Sequence, residues 1–234
     1  MQLDARELAE FYETPMGQVA RRMILRRVRT LWPSAHGQRV LGYGFATPYL
    51  KPFQSETERV TAAMPAQQGI VPWPEGKRLA ALSDEDALPF PDAMFDRILV
   101  VHGLEGADAL RPMMRQLWRV LAPEGRVLIV APNRTSLWAQ MERSPFGYGR
   151  PFHRGELDRL LRGAMFEPVR WDCTLHHPPL NGRRLIRTGA TWESVGRKLW
   201  PRLGGVHLVE ATKSLYAPVP INKKKVPEPV LARA

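Results

Sequence analysis

The sequence predicts an α/β fold: a mostly parallel β-sheet with helical crossovers and an antiparallel strand near the C-terminus. Three observations predict it. Two apolar runs, Phe95–His102 (FDRILVVH) and Arg126–Ala131 (RVLIVA), are bounded by turn residues, as strands buried on both faces are. Between them, Leu110–Leu121 has helical periodicity, with Met114, Leu117 and Leu121 on one face. A strand–helix–strand alternation of this kind implies parallel strands joined by right-handed crossovers.

The elements follow in chain order. Leu3–Leu31 reads as helix, divided into a short and a longer piece by Pro15 and Gly17. Ile24, Val28 and Leu31 form its apolar face. Arg21, Arg22, Arg26 and Arg29 fall on another side, as a solvated basic face or as an arm for an anion. Arg39–Gly42 is a first strand ending in glycine, Thr57–Ala63 a second and Arg78–Leu82 a third, with a loop rich in proline and glycine at 67–76. Pro123-Glu124-Gly125 is a tight turn, and 132–152 is a loop-rich insertion. Gly155–Phe166 is a helix with Leu157, Leu160 and Leu161 inward. Val169–Leu175 is a strand, and His176–Gly182 breaks the pattern. Thr191–Trp200 is a short basic amphipathic helix, and Val206–Tyr216 alternates as the last, antiparallel strand. No internal repeat is present. One domain is expected over 1–217, its first 35 residues a helical segment, with 218–234 a disordered basic tail.

Composition narrows the function classes. The chain has 234 residues, 44% of them hydrophobic, enough for a sizeable core. The single cysteine, Cys173, excludes an intramolecular disulfide and a cysteine-based zinc cluster, which fits a reducing, cytoplasmic setting. Residues 1–10 are charged, so no signal peptide is expected, and no window is apolar enough to span a membrane. The net charge is +11. Residues 219–234 carry four cations and one acid, so most of the excess lies in the body. Such a field attracts an anionic partner: nucleic acid, an acidic lipid surface or an acidic protein. No RNA-recognition, OB or helix-turn-helix signature accompanies it. Trp192, Val195 and Leu199 beside Arg197 and Lys198 suit either a peripheral membrane contact or a core-packed terminal helix. His176-His177 lacks a spaced acid or cysteine, and no metal is expected.

One segment carries chemistry. Leu88-Pro89-Phe90-Pro91-Asp92, Phe95-Asp96, His102-Gly103-Leu104-Glu105 and Arg119-Val120-Leu121-Ala122-Pro123-Glu124-Gly125 occur in order at close spacing. This run resembles the class I, Rossmann-like S-adenosylmethionine-dependent methyltransferases, in particular the type 11 group. The likeness extends, more loosely, over roughly residues 38–216. It implies a doubly wound sheet with S-adenosylmethionine held outside the carboxyl ends of the strands. Mapped residue by residue, it places Gly42, Tyr43, Gly44 and Ala46 in the cofactor loop, Asp84 with Glu85 at the adenine, and His102 with Leu104 on the pocket floor. Tyr148, Arg150 and His153 then face the acceptor from a glycine-hinged loop.

The chain also departs from the pattern. Gly42 stands where the family has an acid, Ala46 and Pro48 where it has glycines, and no acid follows the second strand. Gln67 or Gln68 is the amide available for the ribose there. Proline is tolerated at a helix start, where its missing N–H is no loss. Each candidate has a plain structural reading beside it: a tight turn for Gly42 and Gly44, a helix cap or solvated acid for Asp84, a satisfied pocket histidine for His102, and ordinary loop packing for 144–157. Two functions from different classes follow: a methyltransferase acting on an unidentified acceptor, or a non-catalytic relative that keeps the fold as a binding or regulatory subunit. No catalytic residue is assigned by the motifs.

Overall fold

Two helices at the N-terminus arise from two strong caps. Asp4 and Glu7 form a reciprocal capping box that starts α1 (Ala5–Glu13). Thr14 ends that helix and caps α2 (Pro15–Leu31), with Pro15 in its first turn. The seven strands that follow are β1 (Arg39–Gly44), β2 (Arg59–Pro65), β3 (Ala80–Ser83), β4 (Phe95–Val101), β5 (Leu121–Pro132), β6 (Phe166–Thr174) and β7 (Val206–Lys213). The intervening helices are α3 (Thr47–Leu50), α4 (Leu110–Val120), α5 (Leu137–Gln140) and α6 (Arg154–Gly163). This computed structural model describes residues 3–74, 79–141, 144–179, 193, 195–200 and 202–214. The expected tail at 218–234 lies outside them, as do Thr191 and Trp192 of the basic helix.

The strands form one sheet in the order β3-β2-β1-β4-β5-β7-β6. β1 to β5 pair in parallel, and β7 is antiparallel to both β5 and β6. The order reverses between β1 and β4, where a doubly wound sheet opens its ligand crevice. One core packs α1, α2 and α3 against Val40, Val60, Leu99, Val101, Leu128 and Leu208. The other packs α4 and α6 against Leu41, Ile98, Val100, Ile129 and Val209. The alternation of Leu99 and Val101 with Ile98 and Val100 is the period-2 signature of a strand covered on both sides.

Most element boundaries differ by a few residues from the sequence reading, and three of the differences have a clear local cause. β1 runs on through Gly44, because Gly42 pairs with both Ala62 and Leu99 inside the sheet and does not end the strand. The turn at Pro123-Glu124-Gly125 persists as an irregularity within β5: Glu124 is left-handed (φ 59), and the register shifts between Phe95/Leu121 and Arg97/Arg126. α6 stops at Gly163, where Met165 (φ 62) turns the chain into β6. No helix of the described residues is long and apolar enough to cross a membrane.

Candidate functional site

The carboxyl ends of β1, β2, β3 and β4 meet at the switch point, and most of the predicted cofactor residues lie there. Gly44 ends β1 with φ 75, and a Cβ on it would intrude on the Val101 carbonyl and the Gly103 amide. Only glycine fits both the angle and the space. Gly42 faces Leu50 of α3, and Ala46 is fully buried at the head of that helix. Pro48 stands in the first turn of α3, the position where its missing donor costs nothing. The loop after β1 therefore keeps a strand-to-helix course, but its glycines are required by protein packing.

His102 follows β4 in the left-handed region (φ 50), an uncommon conformation for a non-glycine residue. Its carbonyl accepts from Gln68 Nε2 at 2.8 Å. Its ring is held at both nitrogens: Nδ1 lies 2.9 Å from Glu105 Oε1, and Nε2 lies 2.8 Å from the Tyr12 hydroxyl. Tyr12 in turn lies 2.8 Å from the Tyr49 hydroxyl. One proton arrangement satisfies the row: Nδ1–H donates to the Glu105 carboxylate, Tyr12 donates to Nε2, and Tyr49 donates to Tyr12. Burial, with Tyr49 and Glu105 nearby, pushes the Tyr12 hydroxyl well above its ordinary pKa, so it stays protonated.

The predicted adenine acids part company. Asp84 is exposed and bridges to Ala87. Glu85 turns inward, and its Oε2 accepts the Asp108 and Ala109 amides at 3.1 and 3.2 Å, at the head of α4. Burial pushes its pKa up, against those two amides. Tyr43 and Leu104 are buried together in the core that packs α4 and α6, and the Tyr43 hydroxyl meets no hydrogen-bond partner. Beyond β4, the 144–153 strap is fastened to Glu105, whose carbonyl accepts the Arg150 amide at 2.7 Å. The predicted acceptor residues separate along this strap. Tyr148 lines the crevice, the Arg150 guanidinium lies over Phe152, and His153 faces a second cavity beside β6 and β7.

Sequence reasoning missed what fills the crevice. Leu8 and Tyr12 of α1 are buried in it, and Tyr12 stacks on Phe45 with ring centroids 6.0 Å apart. Phe146 of the strap packs on His102 at 5.0 Å. The signal was present as the i, i+4 pair Leu8/Tyr12. What remains is a cavity of about 20 Å³ lined by Leu8, Gln68, His102, Glu105, Tyr148 and Gly149, among others. That is room for about one water, against roughly 300–1,000 Å³ for a small-molecule pocket. Around the same edge, Gln68 Oε1, Glu85 Oε1, Glu105 Oε2 and Ser83 Oγ are buried without a hydrogen-bond partner. Among the described residues no group of three or more His, Cys, Asp or Glu is placed to hold a metal.

The strand order, the crevice at its switch point and the left-handed glycine at the end of β1 define the class I, Rossmann-like methyltransferase fold. Residues 41–129 match the family model of the type 11 methyltransferases, described as a methyltransferase domain, so the family resemblance carried by the motifs is shown over that segment. A malonyl-[acyl-carrier protein] O-methyltransferase of Halorhodospira halophila is 28% identical over 149 residues, 57% of this chain and 50% of that protein. A ubiquinone/menaquinone biosynthesis C-methyltransferase of a Marinomonas species is 37% identical over 65 residues, 28% of this chain and 24% of that protein. The chain thus spans half or less of these relatives' lengths. Among solved structures, an S-adenosylmethionine-dependent methyltransferase of Thermotoga maritima superposes with a TM-score of 0.62 at 18% identity, over 89% of this chain and 95% of that one.

Proposed function

We propose that the protein is an S-adenosylmethionine-dependent methyltransferase acting on an unidentified acceptor, and that α1 must leave the crevice for the cofactor to bind. The observation that carries this reading is the ring of unpartnered buried acceptors at the switch point of a methyltransferase fold. These acceptor oxygens suit a hydroxylated, cationic ligand, whereas the volume suits it only with α1 displaced. The cofactor, when bound, supplies an electrophilic sulfonium methyl group. Gln68 and Glu105 would meet its polar parts, with Glu85, Tyr43 and Leu104 on the adenine side. Gly42, Gly44 and Ala46 shape the loop, and Asp84 stays at its exposed rim. With Tyr12 withdrawn, His102 Nε2 becomes a free acceptor for a proton, its ring oriented by Glu105. Tyr148 and Arg150 then border the acceptor side from the strap.

A second reading is favoured by the packing itself. A crevice filled by Tyr12, Phe45, Tyr49 and Phe146 suits a non-catalytic subunit that uses the fold as a platform. Calorimetry with S-adenosylmethionine and S-adenosylhomocysteine separates the two. Saturable one-to-one binding, weakened by Glu105→Gln and little changed by Asp84→Ala, supports the enzyme. No binding at millimolar ligand by the folded chain supports the platform.

The basic balance further supports an anionic partner, and the single cysteine fits a cytoplasmic location. Arg111, Arg115 and Arg159 border a groove of about 680 Å³ with Trp118 and Met165 between α4 and α6.

A further inference from the structure

The groove of about 680 Å³ between α4 and α6 lies on the sheet face away from α1 and α2. Both helices run from the carboxyl edge of the sheet back to its amino edge, so they lie side by side and the groove follows them. Its floor is apolar. Trp118, Leu160 and Ala164 pack partly on the core, and Met165 stands beside them. Met165 is 36% exposed and left-handed (φ 62) just past the end of α6, where glycine or asparagine is usual. That backbone disfavours a long side chain, and an apolar contact from the groove side would offset the cost.

The banks are basic. Arg111, Arg115 and Trp118 follow one face of α4 at i, i+4 and i+7, and Arg159 stands across the groove on α6. All three arginines are exposed. Other arginines of these helices are neutralised within the chain. Arg119 lies 2.7 Å from Asp92, and Arg162 lies 3.0 Å from Asp158 and 2.6 Å from Glu167. Arg111, Arg115 and Arg159 meet no carboxylate among the described residues, and no acid lines the groove. Like charges four residues apart destabilise a helix, so the fold carries the Arg111/Arg115 pair at a cost.

We propose that this groove docks an acidic amphipathic helix of a partner protein. Its apolar side chains enter between Trp118, Leu160 and Met165, and its carboxylates meet Arg111 and Arg115 on one bank and Arg159 on the other. Charge selects this occupant. A second copy of the chain, at +11, and the chain's own segment 219–234, with four cations and one acid, have the wrong sign. Shape disfavours the other anions. A bilayer takes up protruding apolar side chains, whereas this floor is recessed between two helices. A single-stranded nucleic acid stacks its bases on open aromatic faces. Here Lys213 Nζ lies over the Trp118 ring, 4.0 Å from its centroid, and the ring N–H donates to the Ser214 carbonyl at 3.2 Å. The inference rests on the anionic-partner reading of the basic balance and not on methyl transfer, so its test uses no cofactor and its failure leaves that activity untouched.

The test is fluorescence anisotropy of the full chain with a labelled peptide of about 15 residues, roughly four helical turns, made of leucine, alanine and glutamate with the leucines on one face. Saturable binding is expected, weakened at least tenfold in Arg111→Glu/Arg115→Glu and several-fold in Met165→Asn, a residue that the left-handed backbone accepts. Circular dichroism and the thermal transition confirm that both variants fold. No saturable binding, undiminished binding by Arg111→Glu/Arg115→Glu, or equal binding of the peptide with glutamine in place of glutamate would overturn the proposal. So would tighter binding of phosphatidylglycerol vesicles or of a single-stranded oligonucleotide that the same variants abolish, which would give the groove to a membrane or to nucleic acid.

Discussion

Gly44 and Gly42 look alike in the sequence, two glycines in one loop, but the structure gives them different work. Gly44 sits at φ 75 against backbone atoms that cannot yield, whereas Gly42 faces the end of a leucine side chain. Gly44→Ala is expected to cost more than about 2 kcal/mol, combining strain at positive φ with overpacking. Gly42→Ala is expected to cost about 1 kcal/mol, a cavity-wall adjustment by Leu50. Urea unfolding of both variants checks the order, and equal costs would show that the loop is not held as described. Which of Asp84 and Glu85 turns inward was not legible. The choice depends on the amides of Asp108 and Ala109, more than 20 residues away in sequence. His102 was legible from its motif, but its partner Tyr12, ninety positions earlier, was not.

At the scale of elements, the apolar runs of β4 and β5 and the period of α4 and α6 were readable, because burial on both faces leaves a plain signature. The edge was harder: β6 begins at Phe166, three residues before the sequence reading, because its start is fixed by pairing with Lys213 of β7. β7 also holds a charge that periodicity does not reveal. Glu210 is fully buried and accepts from Trp32 Nε1 at 2.9 Å, from Arg170 and from Arg126. Burial pushes its pKa up, but Arg170 and Trp32 outweigh this and hold the carboxyl below its ordinary value. The stabilisation is therefore present above the unfolded-state pKa, near 4.3, and is lost as pH falls through the lower folded-state value. Glu210→Gln is expected to cost about 1.5–3 kcal/mol at pH 7 by removing the charge-assisted bonds from Arg170 and Arg126, whose guanidinium groups stay half-exposed to water. It should also flatten the fall in Tm on the acid side of the ordinary carboxylate range, where the wild type protonates this group. Thermal melts from pH 3 to 7 check both. A parallel fall in the two proteins would place the acid sensitivity elsewhere.

For the whole molecule, the sheet order follows from the alternation of strands and helices, and the motif segment anticipated the methyltransferase fold. What the sequence withheld was the relation between the N-terminal helix and the crevice. Capping and periodicity define α1, but where it docks is decided by Leu8 and Tyr12 meeting Phe45, Tyr49 and His102. The altered loop and the docked helix then belong together: an apolar Phe45 and a buried Ala46 make a surface that α1 covers. On the proposed reading a cofactor displaces that cover, so its apparent affinity is reduced by the fraction of the chain in the open form. Truncating Leu8 removes about 2–5 kcal/mol from the closed form, and each 1.4 kcal/mol is a factor of ten in affinity.

The most direct measurement is the dissociation constant of S-adenosylhomocysteine for the wild type and for Leu8→Ala, by calorimetry at one temperature and salt concentration. The account predicts that Leu8→Ala binds at least tenfold more tightly, because its crevice is held shut less firmly. Equal or weaker binding by a folded Leu8→Ala, or no binding by either protein, would contradict it.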